Sequence, residues 1–146
     1  MPVPRISRRD LAEAILQGVT FASSPFIRKT PSEPKSIFVL RNNGLGDLLC
    51  ATPLFEMLKL KYPNAEIIAG IGNWHEQLLD CNPYLSRCIK INAPWHNQFV
   101  VAPNILRILA YLLFSSESKA LYAMKLDVGF DVVGSLWGSM LLLRCG

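Results

Sequence analysis

Ser36-Ile37-Phe38-Val39-Leu40 runs into Arg41-Asn42-Asn43-Gly44-Leu45-Gly46-Asp47, and an amphipathic stretch from Leu48 to Tyr62 follows. An apolar strand, a glycine turn and a helix in that order aim backbone N–H groups and one carboxylate at the crevice beyond the strand's carboxyl end. Open α/β sheets bind their ligands there. Gly44 and Gly46 are free to take positive φ and to let a ligand approach the main chain, at an entropic cost that an ordinary connection avoids. Asp47 falls at or just before the first helical turn, where it either caps the helix or stands as a charged group beside the ligand. Asn42, Asn43 and the N–H groups of Gly44, Leu45 and Gly46 either donate hydrogen bonds to hydroxyls or a phosphate, or simply shape the turn. No third glycine follows Gly46 and no Lys-Ser/Thr pair follows the turn, which argues against a dinucleotide fingerprint and against a P-loop.

Outward from this unit the pattern keeps alternating. Strands are expected at 37–40, 66–70 and 87–92, with helices at 48–62 and around 74–80. Such alternation implies an α/β fold with a parallel sheet, right-handed crossovers and flanking helices, Rossmann-like in class. After an irregular, proline-bounded loop at 93–103, residues 104–114 are strongly apolar but too few to cross the ~30 Å hydrocarbon core of a bilayer as a helix. They suit a core or partner-facing helix that continues past Ser115-Ser116 through 120–125. Asp131-Val132-Val133 is expected as a buried fourth strand and 137–144 as the helix after it. The crossover rule puts the turn after that strand on the same sheet edge as Asp47, so Ser135, Trp137, Gly138 and Ser139 line the crevice opposite it. Trp137 serves there either as a sugar platform or as half-buried packing. Trp74 and His75 follow Gly70-Ile71-Gly72-Asn73 at another strand-to-helix turn, where His75 is either a phosphate or sugar ligand or an ordinary surface histidine; His96, in the proline-bounded loop, has less support. Lys59 and Lys61 fall on the solvated outer face of the first helix.

Five phrases in order carry a family resemblance. Gly46-Asp47 follows the first strand, Thr52-Pro53-Leu54 sits inside the first helix, and Tyr62-Pro63-Asn64-Ala65-Glu66-Ile67 opens the second strand. Asn82-Pro83 then precedes the third strand, and Phe130-Asp131-Val132-Val133-Gly134-Ser135-Leu136-Trp137-Gly138-Ser139 makes the fourth strand and its turn. Over 35–146 the chain resembles the amino-terminal half of a family-nine glycosyltransferase, the lipopolysaccharide heptosyltransferase group, whose two Rossmann-like halves form a GT-B enzyme. The resemblance implies an inverting, metal-independent transfer from a nucleotide sugar of the ADP-sugar type to a glycolipid or polysaccharide acceptor. In that family the aspartate matching Asp47 is the general base that takes the acceptor hydroxyl's proton. This half mainly receives the acceptor, while the donor belongs to a carboxyl-terminal half that 35–146 does not contain. The closing pattern, a helix ending at Cys145-Gly146 where a capping glycine hands over to a further strand, suggests the first part of a longer protein or a remnant of one. The competing expectation is a non-catalytic Rossmann-like binding module.

Composition sets the remaining bounds. At 146 residues and 51% hydrophobic content, one domain with a substantial core is expected. Fifteen Lys and Arg against 11 Asp and Glu leave a net charge of +4, which favours anionic ligands such as phosphorylated sugars or lipid headgroups. No basic run exceeds Arg8-Arg9, so nucleic acid is not an expected partner. The cysteines, Cys50, Cys81, Cys88 and Cys145, form no C-x-x-C pair, and no Asp-x-Asp occurs, so neither a metal nor another cofactor is expected. Cys50, Cys88 and Cys145 lie in apolar patterns that suit small buried hydrophobes in a reducing cytoplasm. Residues 1–34 form a basic, proline- and serine-rich arm with one helical pattern at 8–19. Such an arm packs on its own domain or makes peripheral contact with the inner face of the cytoplasmic membrane through Phe21, Phe26 and Ile27 and neighbouring cations.

Overall fold

Ile37, Phe38, Val39 and Leu40 are all fully buried, the continuous apolar run that a strand covered on both faces needs. The computed structural model describes residues 29–73, 76–95 and 104–145, together with Ala14 and Gly18. Along the chain come β1 (Ser36–Leu40), α1 (Leu45–Lys61), β2 (Glu66–Ile71), α2 (Glu76–Leu79), β3 (Arg87–Lys90), α3 (Ile105–Phe114), α4 (Ser116–Met124), β4 (Val128–Asp131) and α5 (Leu136–Cys145). The strands form one parallel sheet in the order β3-β2-β1-β4. This is an α/β Rossmann-like arrangement, as the alternation implies.

Strand periodicity sorts the core into two clusters. Ile37, Val39, Ile67 and Ala69 point to one face, where Leu48, Phe55 and Leu58 of α1 and Leu79 of α2 cover them. Phe38, Leu40 and Ile68 point to the other, under Ile108 and Leu112 of α3, Leu121 of α4 and Leu141 and Cys145 of α5. Gly70 belongs to this second layer for a steric reason: a Cβ there would overlap the Phe38 ring. A carboxylate fastens the sheet at its amino-terminal end. Asp127 Oδ2 accepts from Lys35 N at 2.8 Å, Ser36 N at 3.0 Å and Ser36 Oγ at 3.3 Å, while Ser36 Oγ accepts from Asp127 N at 3.0 Å. These bonds tie the start of β1 to the start of β4.

Several boundaries differ from the sequence expectation. The first helix begins at Leu45 rather than Leu48, so Leu45, Gly46 and Asp47 are helical. Pro53 inside it has no N–H for the Leu49 carbonyl, and the Thr52 hydroxyl donates to that carbonyl instead, at 2.8 Å. The apolar helix stops at Phe114, because Ser115 turns to φ −63, ψ 147 and its Oγ accepts from Ser118 N at 3.0 Å, starting a new helix. β3 ends at Lys90, since the Asn92 N–H is diverted to Glu117 Oε2 at 2.8 Å. The fourth strand lies at Val128–Asp131, with Gly129 and Phe130 exposed on a sheet edge, so the expected buried strand at 131–133 is corrected. Its register slips because the Asp131 carboxylate accepts from Val133 N at 3.1 Å and so turns the chain. Lys59 is not simply solvated: its Nζ donates to Ala65 O at 2.9 Å, and Lys61 Nζ lies 5.3 Å from the Tyr62 ring centroid. Of the arm's 1–28, only Ala14 and Gly18 are described, both helical and exposed.

The cysteines also divide differently from expectation. Cys50 and Cys81 are exposed, Cys88 is half-buried and Cys145 is buried. Burial pushes the Cys145 thiol from 9.0 up to about 11. Burial, and then the bond to Glu117, raises the Tyr111 hydroxyl far above its ordinary range. Both groups bind their proton more tightly in the folded state, so the contribution of Cys145 is intact below about pH 9 and is lost as the pH climbs to about 11, while that of Tyr111 declines from about pH 10 upward. Urea midpoints should be flat up to about pH 9 and fall beyond it. A thiol reagent at pH 8 should modify Cys50 and Cys81 and reach Cys145 only on unfolding.

Candidate functional site

Strand order reverses between β1 and β4: the chain leaves β1 towards β2 on one side and returns to pair β4 on the other. Leu40 pairs with Asp131, and Val132 N donates to Leu40 O at 3.2 Å, so the turns after β1 and β4 lie side by side beyond the sheet's carboxyl edge. In open α/β sheets this switch point is where ligands sit. It brings residues 42–47 and residues 132–138 to one edge, as the crossover rule anticipates.

The first turn enters α1 through Gly44, its N-cap, at φ −62 and ψ 157. That extended conformation is open to any residue, and Gly46 is already helical, so the anticipated positive φ at Gly44 and Gly46 is corrected; among the described residues the positive-φ glycine is Gly134, at 67°. No side chain caps the helix, which leaves its first N–H groups available at the positive end of the macrodipole. A Cβ on Gly46 would meet nothing within 4 Å, so neither backbone strain nor packing calls for glycine there. Its effect is to keep the first helical turn bare.

Asp47 is the third residue of α1 and is not the cap. Its side chain is 54% exposed, and Oδ1 lies 3.2 Å from Arg41 Nη2, while Arg41 Nε donates to Asp47 O at 3.4 Å. Arg41 itself is only 14% exposed, so the guanidinium is held and the carboxylate faces solvent. Asn42 is fully buried, yet neither its Oδ1 nor its Nδ2 has a hydrogen-bond partner. Leaving a buried amide unsatisfied costs about 1–3 kcal/mol, more than a turn-forming asparagine needs to spend. Asn43 is half-buried beside it, and the exposed Leu45, Leu49 and Val132 give the crevice an apolar rim.

The second turn is built on Asp131. Its Oδ2 accepts from Ser135 N at 2.8 Å and Ser135 Oγ at 2.9 Å, and Ser135 Oγ accepts from Gly138 N at 3.0 Å. Ser135 thus starts α5, and a Cβ on Gly138 would overlap the Asp131 carboxylate. Both residues stand at the crevice with their polar groups engaged in building it. Trp137 packs half-buried against the inner cluster.

A further polar group lies at the carboxyl ends of β2 and β3. Asn92 Nδ2 donates to Glu117 Oε1 at 2.9 Å and to Asn73 Oδ1 at 3.0 Å, Asn73 N donates to Asn92 Oδ1 at 3.2 Å, and Tyr111 OH donates to Glu117 Oε2 at 2.5 Å. All these partners are mutual, which makes the cluster a tie between the sheet and the α3–α4 corner. Trp74, His75 and His96 lie outside the described residues. A depression of about 220 Å³ lined by Glu33, Lys61, Tyr62 and Asn64 sits at the opposite, amino-terminal edge, away from Asp47. Among the described residues no three His, Cys, Asp or Glu side chains gather as a metal site.

Sequence reasoning missed Arg41 and Asp131 as site-building residues. A lone cation between a buried strand and two asparagines, and an aspartate at the head of Val132-Val133-Gly134-Ser135, were the available signals. Compared with protein-family models, with curated proteins and with solved structures, the chain matches none.

Proposed function

We propose that this chain is the acceptor-side domain of an inverting, metal-independent glycosyltransferase of the heptosyltransferase type. A nucleotide sugar is the donor and a glycolipid or polysaccharide precursor the acceptor. The observation that carries the reading is the bare, uncapped start of α1 at the switch point, with Asp47 exposed on its first turn and the orphaned Asn42 amide beneath. The five sequence phrases point the same way. In the reaction, Asp47 accepts the proton of an acceptor hydroxyl as that oxygen bonds to the anomeric carbon, and the nucleoside diphosphate leaves with the bonding pair. An alcohol is a weak nucleophile at neutral pH, and a positioned carboxylate supplies ~10²–10⁴-fold. The N–H groups of the first turn would hold acceptor hydroxyls or a phosphate, joined by the Asn42 amide once a ligand opens the turn that covers it, and Leu45, Leu49 and Val132 would hold the apolar side of a sugar ring or lipid.

One observation favours a second reading, a non-catalytic binding module: Asp47 Oδ1 is already occupied by Arg41 Nη2 at 3.2 Å, the place an acceptor hydroxyl would have to take. Product formation from a panel of nucleoside diphosphate sugars with acceptor glycolipids, using the complete gene product, separates the two. Transfer supports the enzyme; saturable acceptor binding with no transfer by any donor supports the module. The 146-residue chain alone is expected to give no turnover, because both halves of a cleft must hold the reactants and their alignment supplies several kcal/mol of the barrier, about 7–11 at best.

Gly46→Ala tests the bare helical turn without disturbing the fold. Alanine should stabilise α1 by about 0.5–1 kcal/mol, since its Cβ meets nothing. Ligand affinity should nevertheless fall. A stabilised variant with undiminished binding would show that nothing approaches that surface.

A further inference from the structure

α3 is apolar except at Arg107, and only one side of it is covered. Ile108 and Leu112 are buried in the inner cluster, whereas Ile105, Leu106, Leu109, Leu113 and Phe114 stand 37–72% exposed. Residues 105, 109 and 113 recur at the helical i, i+4, i+8 spacing and so form a stripe along the outer face. A contiguous exposed apolar surface marks an interaction site.

The charges around the stripe say what covers it. Between residues 104 and 126 the cations are Arg107, Lys119 and Lys125, all exposed and without an ion-pair partner among the described residues. The single acid in that span, Glu117, has its carboxylate taken up by Asn92 and Tyr111. Lys119 stands five residues beyond Phe114, across the one-residue break at Ser115, and shares the exposed side of α4 with Tyr122. An apolar stripe in a segment whose cations have no ion-pair partner among the described residues, and whose one carboxylate is engaged, complements a surface that is apolar inside and anionic at its rim.

We propose that the outer face of α3, with Arg107 on the same helix, Lys119 on α4 and Lys125 at the end of α4, docks on an anionic phospholipid bilayer, α3 lying in the plane of the interface. α3 has 10 residues, too few to span, and no helix among the described residues is long and apolar enough to cross a membrane. A second copy of the chain fits less well. A two-fold interface presents the same patch from both partners, setting these cations against their own images. The proposal rests on α3 and α4 alone and is independent of the reaction proposed above.

The test is co-sedimentation of the full chain with phosphatidylglycerol-containing vesicles and with pure phosphatidylcholine vesicles. Binding should require the anionic lipid and weaken as salt approaches about 1 M, where screening shortens to ~3 Å. Leu109→Glu and Phe114→Glu should each lower the partition coefficient about tenfold or more. Lys119→Glu, which leaves the stripe intact, should lower it about fivefold or more. Leu60→Glu, at an exposed leucine of α1 on the other face of the sheet, is the control and should bind as wild type does. All four positions are exposed, and unchanged thermal unfolding verifies each variant's fold. The proposal is overturned if the wild-type chain ignores anionic vesicles, or if the α3 and α4 variants pellet as it does, which would assign any binding to another part of the chain. A dimer that the same substitutions dissolve, with no vesicle binding, would assign the face to a second copy and equally overturn it.

Discussion

Asp47→Asn is expected to lower kcat by about a hundredfold or more, roughly 2.7 kcal/mol of transition-state stabilisation, in a protein that remains folded. The amide matches the carboxylate in size but cannot accept the hydroxyl proton. Its structural cost is small because Asp47 does not cap α1: Gly44 does, without any side-chain bond. What is lost is a favourable charge in the first helical turn, worth about 0.3–1 kcal/mol, and a half-exposed ion pair with Arg41 worth about as much. Stability should therefore fall by about 1 kcal/mol or slightly more, since the mostly buried Arg41 guanidinium loses its partner. A fall in kcat and kcat/KM together would place the carboxylate in the transition state; a rise in KM alone would make it a binding group. Near-normal kcat in a folded Asp47→Asn protein would end the assignment of a base here and leave Asp47 as the partner of Arg41.

Asn42 separates ligand binding from fold in the opposite direction. Truncating a buried side chain ordinarily destabilises, but Asn42→Ala removes two buried polar atoms that have no partner. The relief offsets the small cavity left behind. Urea unfolding should show stability unchanged or raised, while acceptor affinity falls. A loss of about 2 kcal/mol or more would mean that the amide supports the fold instead.

How far the sequence carries the fold depends on what kind of signal each element leaves. β1 and β2 are legible because burial on both faces demands unbroken apolar runs, and the strand–turn–helix order around Gly44 fixes where the crevice lies. The same logic places the turn after β4 on the same edge. What it could not give is the exact course of those turns. The start of α1 is set by a backbone conformation at Gly44 that leaves no side-chain signature, so Leu45 to Asp47 look like loop. β4 is displaced towards the amino terminus because the Asp131 carboxylate spends its oxygens on Val133 N and Ser135 N, a local competition that outweighs the strand preference of two valines. The break at Ser115 is a hydroxyl cap within an apolar run whose periodicity barely registers it. Arg41 escaped notice because its function is geometric: only the folded turn returns Asp47 to within 3.2 Å of it.

Asp127→Ala should be among the most destabilising single substitutions outside the apolar core, at about 2–4 kcal/mol. The carboxylate oxygen receives two backbone N–H groups and a hydroxyl from Lys35 and Ser36, and hydrogen bonds to charged groups contribute about 1.5–3 kcal/mol each when they do not share an acceptor. Sharing one oxygen and partial exposure bring the total below their sum. Asp127→Asn keeps one acceptor oxygen and should lose about half as much, with the urea midpoint lowered and the slope unchanged in both variants. The consequence reaches the candidate site through the sheet. β4 is an edge strand whose one strand neighbour among the described residues is β1, through the register from Ile37–Val128 to Leu40–Asp131, so loosening it at Asp127 frees the strand whose far end carries Asp131 and the second turn. Hydrogen exchange at Phe130 and Val132 should quicken in Asp127→Ala before exchange at β2 does. Equal acceleration throughout the sheet would mean that the clasp acts on global stability alone, and that the two ends of β4 are not coupled.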